Sequence, residues 1–238
     1  GTGIGWVRQV NGFITTFGVS GLLYNTNLIP YDRNSDSNWS QMLLKSVNGP
    51  LIGKEIETYP LVETTWQTWK AMYPNSKIMN TNTGFNRSYG VYPYGGYKTN
   101  EQLIFPVKPD DTRLPRKERG LGIIVDGKAK FYRFEQFDAP VAVHQDVFKG
   151  VELVVVGSSH QNFMAAYNRQ LPDGTMLEFS AVVETGNPVV MTDNEGNEWN
   201  IFGEAVSGPR AGSALTPTES FIGYWFSWGA FYPNAEIF

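Results

Sequence analysis

The chain has 238 residues, 18% of them charged and 41% hydrophobic, with a formal net charge of −4 and no cysteine. That balance excludes a disordered chain, and mild acidity without blocks of like charge excludes a nucleic-acid partner. The absence of cysteine excludes disulfides, thiolate metal sites and a cysteine nucleophile within these residues, and no stretch reaches the roughly 18 apolar residues of a membrane span.

The 7 Trp, 12 Tyr and 15 Phe stand among 25 Gly and 14 Pro, a mixture that favours short strands and tight turns over helices. Gly1-Thr-Gly-Ile-Gly5 resembles a piece of a glycine-rich loop but has no strand before it or helix after it, so it carries no weight. Asn11-Gly12 is a hairpin turn signal that leads into a strand over Phe13–Val19. Leu28–Tyr31 reads as the next strand, Asp32–Asn38 as a polar turn, and a further strand opens at Trp39. Trp66, Trp69 and Tyr73 then fall three and four residues apart, the spacing of one helix face. Thr64 is placed to cap this short helix, and Pro74 ends it, because the residue before proline is pushed out of helical geometry.

Residues 80–117 follow neither period. Tyr89, Tyr92, Tyr94 and Tyr97 alternate there with Gly90, Pro93, Gly95 and Gly96. A connection this long is unusual inside a compact domain and is often functional. Tyrosines held by Gly and Pro offer flat faces with a hydroxyl, suited to sugars, peptides or a partner surface. The alternative is a strap packed across both sides of the chain. Beyond it, a hairpin opens near Leu121 and strands continue through Val151–Val156. Asp173-Gly174 then leads into Thr175–Val182, followed by Val189–Thr192, the polar turn Asp193–Glu198 and a strand at Trp199. A second short helix carries Trp225, Trp228 and Tyr232, with Ser220 as its candidate cap.

The second series restates the first. Trp66, Trp69, Ala71, Tyr73, Pro74, Asn75 and Ile78 recur as Trp225, Trp228, Ala230, Tyr232, Pro233, Asn234 and Ile237, all at one offset of 159. Gly49, Pro50 and Gly53 recur as Gly208, Pro209 and Gly212 at the same offset, and with small gaps Trp39 corresponds to Trp199. The expected fold is therefore mainly β (α+β): two pseudo-repeated antiparallel halves, each ending in a short aromatic helix packed on a sheet. Residues 1–79 form the first half, 80–117 the connection and 118–238 the second half, together one compact unit. The segment from Leu121 to Phe163 has no counterpart in the first half. The expectation is that the first repeat lacks its front, about forty residues at the repeat period, and that such a segment would pair with strands that are present.

Thr83-Gly-Phe-Asn-Arg-Ser-Tyr89, Pro93-Tyr-Gly-Gly-Tyr97, Phe105-Pro-Val107, Arg113-Leu-Pro-Arg-Lys-Glu-Arg-Gly-Leu-Gly122 and Phe17-Gly-Val-Ser-Gly-Leu-Leu-Tyr-Asn25, followed by Asp32 and Trp39-Ser40, resemble the bacterial and archaeal domain-of-unknown-function family 3179 over nearly the whole chain. The resemblance implies an additional N-terminal stretch, in many relatives with a Cys-Pro-Leu-Cys-like motif, and an extracytoplasmic setting. It implies no activity. It also directs attention to Arg87 with Lys117, Glu118 and Arg119, charges able to hold a carboxylate or phosphate. Glu118 can equally be a buried partner tying the connection to the second half.

No established catalytic motif is present. His144 and His160 lack companions at metal-ligand spacing, and the two polar turns lack the glycine and terminal Glu of a calcium loop. No metal or cofactor is expected. The function expected is extracytoplasmic binding or a structural, interaction role without catalysis, the partner being an N-terminal segment, another protein or a glycan. An enzyme built on Arg87, Lys117, Glu118 and Arg119 at the junction of the halves, or a carbohydrate-binding module using Tyr89, Tyr92, Tyr94 and Tyr97, are the alternatives.

Overall fold

A computed structural model describes residues 2–238. Three two-residue strands open the chain, β1 (Gly5–Trp6), β2 (Gln9–Val10) and β3 (Phe13–Ile14). A four-stranded meander follows, β4 (Phe17–Tyr24), β5 (Asn27–Asp32), β6 (Asn38–Ser40) and β7 (Lys45–Asn48), and β8 (Thr58–Tyr59) returns to pair with β1 ahead of helix α1 (Trp66–Met72). After the connection come the hairpin β9 (Arg119–Val125) and β10 (Lys128–Arg133), then the meander β11 (Ala142–Phe148), β12 (Val151–Ser158) and β13 (Phe163–Asn168). A second four-stranded meander, β14 (Phe179–Ala181), β15 (Val189–Asp193), β16 (Glu198–Asn200) and β17 (Ala205–Ser207), precedes β18 (Glu219–Tyr224), helix α2 (Trp225–Phe231) and β19 (Glu236–Ile237). Strands β18, β9, β10 and β19 form one sheet in that order, antiparallel except for the parallel pair β10 and β19.

Local chemistry accounts for the hairpins. Asn25-Thr26, Asp126-Gly127 and Lys149-Gly150 take positive φ at both loop positions, the mirror-image turn whose twist matches the flanking strands. The polar turns are braced by one carboxylate each. Asp32 accepts hydrogen bonds from the backbone of Asn34 and Ser35, the Ser35 hydroxyl and the Trp39 indole. Asp193 accepts from the backbone of Glu195 and Asn197, the Asn197 amide and the Trp199 indole. Both tryptophans are fully buried. Gly49 and Gly208 have φ of +92° and +89°, and a Cβ there would fall 2.8 Å from Ser37 Cα and 2.7 Å from Asn197 Cα. Only glycine meets both demands.

The two helices differ in how they start. In α1 the cap is Thr65, whose hydroxyl accepts from the Thr68 amide at 3.1 Å. Thr64, the expected cap, instead donates its hydroxyl to the Gln161 carbonyl. In α2 no side chain caps at all. Ser220 lies inside β18, which runs straight into the helix, so no turn brings a hydroxyl to its first amides. Those of Trp225 and Phe226 donate instead to the carbonyls of Glu118 and Arg116, at 2.8 and 2.9 Å. Both helices end as expected ahead of proline, at Met72 and Phe231, with Tyr73 and Tyr232 closing onto the carbonyls of Trp69 and Trp228.

The cores cross between the halves. Met72 of α1 packs in one cluster with Val154, Val190, Met191 and Trp199 of the second half. Trp225, Trp228 and Tyr232 pack with Val10, Trp39, Met42 and Ile56 of the first, together with Phe131 of β10. The Tyr232 hydroxyl donates to the Met42 carbonyl at 2.9 Å. Strand β12 feeds two cores at once, Val154 and Val156 to one side, Leu153 and Val155 to the other.

Trp66 departs from expectation. It is 47% exposed, whereas Trp225 at the same place in α2 is fully buried. Phe131 covers Trp225 at 5.2 Å between ring centroids. The sheet of β9, β10 and β19 supplies that cover, and α1 has no equivalent sheet among the described residues, only the two-residue ladder of β1 and β8 nearby. The buried residues of α1 are Thr68 and Met72, which face the second half.

Candidate functional site

The connection divides into a strap and a groove. Its later part is pinned. Val107 is buried against Phe226 and Ala230 of α2. The Asn25 side chain donates to the Lys108 carbonyl and accepts from the Lys108 amide, both at 2.9 Å, and the Thr26 hydroxyl donates to the Phe105 carbonyl at 3.0 Å. The Trp225 indole donates to the Asp111 carbonyl. Asp111 in turn takes a two-pronged ion pair from Arg113, at 2.7 and 3.0 Å, which stacks over the Trp225 ring.

The charges singled out in the sequence are spread along this strap. The Lys117 ammonium donates to the carbonyls of Tyr97 and Gln102 and to Asn100, and sits 3.5 Å from the Tyr97 ring centroid. Desolvation lowers its pKa. Glu118 faces Arg133 at 3.5 Å; desolvation raises its carboxyl, with Arg133 offsetting part of the rise. Arg119 pairs with Glu63 and Asn162. Arg87 is exposed and makes no side-chain hydrogen bond or ion pair with any described residue. Lys117, Glu118 and Arg119 therefore act as ties, each with its own partner, and Arg87 is not brought into contact with them.

The tyrosines are placed differently. Tyr92, Tyr94 and Tyr97 line an open groove of about 300 Å³ together with Ile104, Phe105, Tyr224 and Phe226. Tyr89 lies outside it, its hydroxyl 2.6 Å from that of Thr83. The rings do not form a flat platform: Tyr92 and Tyr94 meet at 68° and Tyr94 and Tyr97 at 54°. They stand tilted against one another, with ring centroids 5.7 and 6.4 Å apart. At one end of the groove the buried Asn27 amide donates to the Ser227 hydroxyl at 2.9 Å. Lys98 lies 4.5 Å from the Tyr92 ring centroid.

The hydroxyls of Tyr92, Tyr94, Tyr97 and Tyr224 make no hydrogen bond to any described residue, and neither does the Gln41 side chain at the same groove. Desolvation raises the pKa of Tyr97 and Tyr224, so both remain neutral donors. The groove thus combines apolar faces with a few polar groups, the usual constitution of a ligand site. Sequence reasoning found Tyr92, Tyr94 and Tyr97 but missed Tyr224, Phe226 and Gln41. Gln41 lies 51 residues before Tyr92, and Tyr224 and Phe226 lie 127 and 129 residues after Tyr97, so only the fold collects them.

Among the described residues no group of three or more His, Asp or Glu side chains is placed to hold a metal ion, and no helix is long and apolar enough to cross a membrane. The model of a family described as protein of unknown function (DUF3179) matches residues 1–235. No curated protein and no solved structure matches the chain.

Proposed function

This chain belongs to the DUF3179 family, and we propose that it is an extracytoplasmic binding protein whose groove at Tyr92, Tyr94, Tyr97 and Tyr224 takes an extended, proline-bearing segment of a partner polypeptide. The observation that carries this reading is the tilt of the rings, 68° and 54° between neighbours. Tilted aromatic rings make an uneven apolar wall against which proline rings pack, and an extended left-handed segment loses little entropy on binding. The unpartnered tyrosine hydroxyls would donate to its exposed carbonyls. A flat sugar face is matched better by a coplanar pair of rings, so a glycan is the weaker fit.

Titration calorimetry with a proline-rich decapeptide, and in parallel with cellohexaose, tests the reading. Saturable binding of the peptide that Tyr94→Ala weakens at least tenfold supports it. Binding of cellohexaose alone, or of neither probe, overturns it. The extracytoplasmic setting rests on the family resemblance and is checked by fractionating the native host; recovery in the cytosol overturns it.

A further inference from the structure

Helix α1 and helix α2 carry the same three aromatics. In α1 Trp69 and Tyr73 pack on each other and on Phe202, but its first tryptophan, Trp66, is left exposed where Trp225 is covered. Trp225 and Trp228 lie beneath β9 and β10, with Phe131 at 5.2 and 6.4 Å from the two rings. Gly122 of β9 is seated so closely on the Trp228 indole that a Cβ would overlap it. Ahead of α2, β18 pairs residue by residue with β9. After α2, Glu236–Ile237 pairs with Lys130–Phe131, and Phe238 packs on Tyr132.

Around α1 the backbone flanks are unpaired among the described residues, although Val62 packs on a core and the Glu63 side chain holds Arg119. Pro60–Thr64, in the place of β18, makes no backbone ladder with any described residue beyond Tyr59. Leu61 and Trp66 are exposed. Lys77 and Ile78, in the place of β19, pair with no described strand, and Met79, in the place of Phe238, is 91% exposed. An unpaired edge beside an exposed aromatic and a row of exposed apolar side chains is a template for an added strand.

We propose that this face of α1 is the docking seat of a partner β-hairpin with the chemistry of β9 and β10, adding its first strand to the edge at Leu61–Glu63 and its second to Lys77–Ile78. Charge sets one difference. In the second half Glu236 lies opposite Lys130 and 3.3 Å from Lys149. The first half has Lys77 at that place, and Lys70 where α2 has Gly229. The incoming hairpin therefore carries an acidic residue where β10 has Lys130. The same point argues against a second copy donating its own hairpin, which would set Lys130 against Lys77.

Two backbone-cyclised peptides of residues 119–133, one native and one with Lys130→Glu, test the seat by titration calorimetry against the whole chain. The acidic hairpin is expected to bind the more tightly, by roughly two- to fivefold for an exposed pair. Lys77→Glu is expected to reverse the preference, and Trp66→Ala to weaken binding at least tenfold. Trp66 is exposed, so its loss leaves the fold intact, as circular dichroism would verify. The proposal is overturned if neither hairpin binds, if Lys77→Glu leaves the order unchanged, or if Trp66→Ala is without effect. It is also overturned if sedimentation shows the chain self-associating through this face, since the occupant is then a second copy.

Discussion

The Trp39 indole donates a 3.0 Å hydrogen bond to Asp32, and the fully buried ring and the turn it closes are held by that one carboxylate. Trp199 and Asp193 make the same bond at 2.9 Å. Burial pushes each carboxyl upward, but the hydrogen bonds outweigh it. Ser35, Trp39 and Asn34 bring Asp32 below its ordinary value, and Asn197, Trp199 and Glu195 do the same for Asp193.

A depressed folded-state pKa means that the unfolded chain takes up the proton first as pH falls. The stability from Asp32 and Asp193 is therefore present in full above the unfolded carboxylate value of about 4, and is lost as pH drops through the lower folded values. Urea denaturation between pH 5 and 2 should show this loss. Asp32→Asn and Asp193→Asn should each flatten the acid limb, and each should cost about 1–3 kcal/mol at neutral pH by leaving buried donors poorly matched.

Trp225 and Trp66 occupy the same place in two helices, yet their truncation should differ sharply. Trp225→Ala empties a fully buried site and should cost about 3–5 kcal/mol. Trp66→Ala removes an exposed ring and should stay within about 0.5 kcal/mol. Equilibrium urea unfolding measures both.

Gly122→Ala should be harmful although it adds one methyl group. The new Cβ meets the rigid Trp228 indole rather than the end of a flexible chain. Overpacking of that kind costs about 1–3 kcal/mol. Combining it with Trp228→Phe, which clears part of the space, should recover some of the loss, and a double-mutant cycle would report the coupling.

Lys117→Met keeps the length of the side chain and removes its donors to Tyr97, Asn100 and Gln102. Hydrogen exchange should accelerate at residues 97–102 while the amides of β12, the central strand of its sheet, keep their protection. Global stability should change by less than about 1 kcal/mol, because the tie holds a surface segment.

The β character, the hairpin turns and the two short helices were legible in the residues, because Asn-Gly, Asp-Gly and the W-x-x-W spacing are local signals. Burial was less so. Trp66 and Trp225 sit in identical motifs, and nothing within either motif tells which one a sheet will cover. The caps were misplaced for the same kind of reason: α2 is capped by the carbonyls of Arg116 and Glu118, a hundred residues away in sequence. The tyrosine groove was half legible. Its local run stood out, whereas Tyr224 at the end of β18, Phe226 of α2 and Gln41 after β6 join it only through tertiary packing. The charged residues were seen, but their separate pairings could not be read from spacing.

Met72 of α1 is buried among residues of the second half, and Trp225 and Trp228 of α2 share a core with Val10, Trp39, Met42 and Ile56 of the first. This makes the peptide bonds of the connection expendable for cohesion. A protease that nicks the exposed stretch around Tyr89–Tyr94 would yield two polypeptides that still elute as one particle, since parting them would mean lifting Met72 from beside Trp199 and Trp225 from beside Trp39. The same arrangement allows the two fragments, made separately, to find each other and reconstitute the fold, and it offers the tyrosine stretch as a place for new termini in a circular permutant.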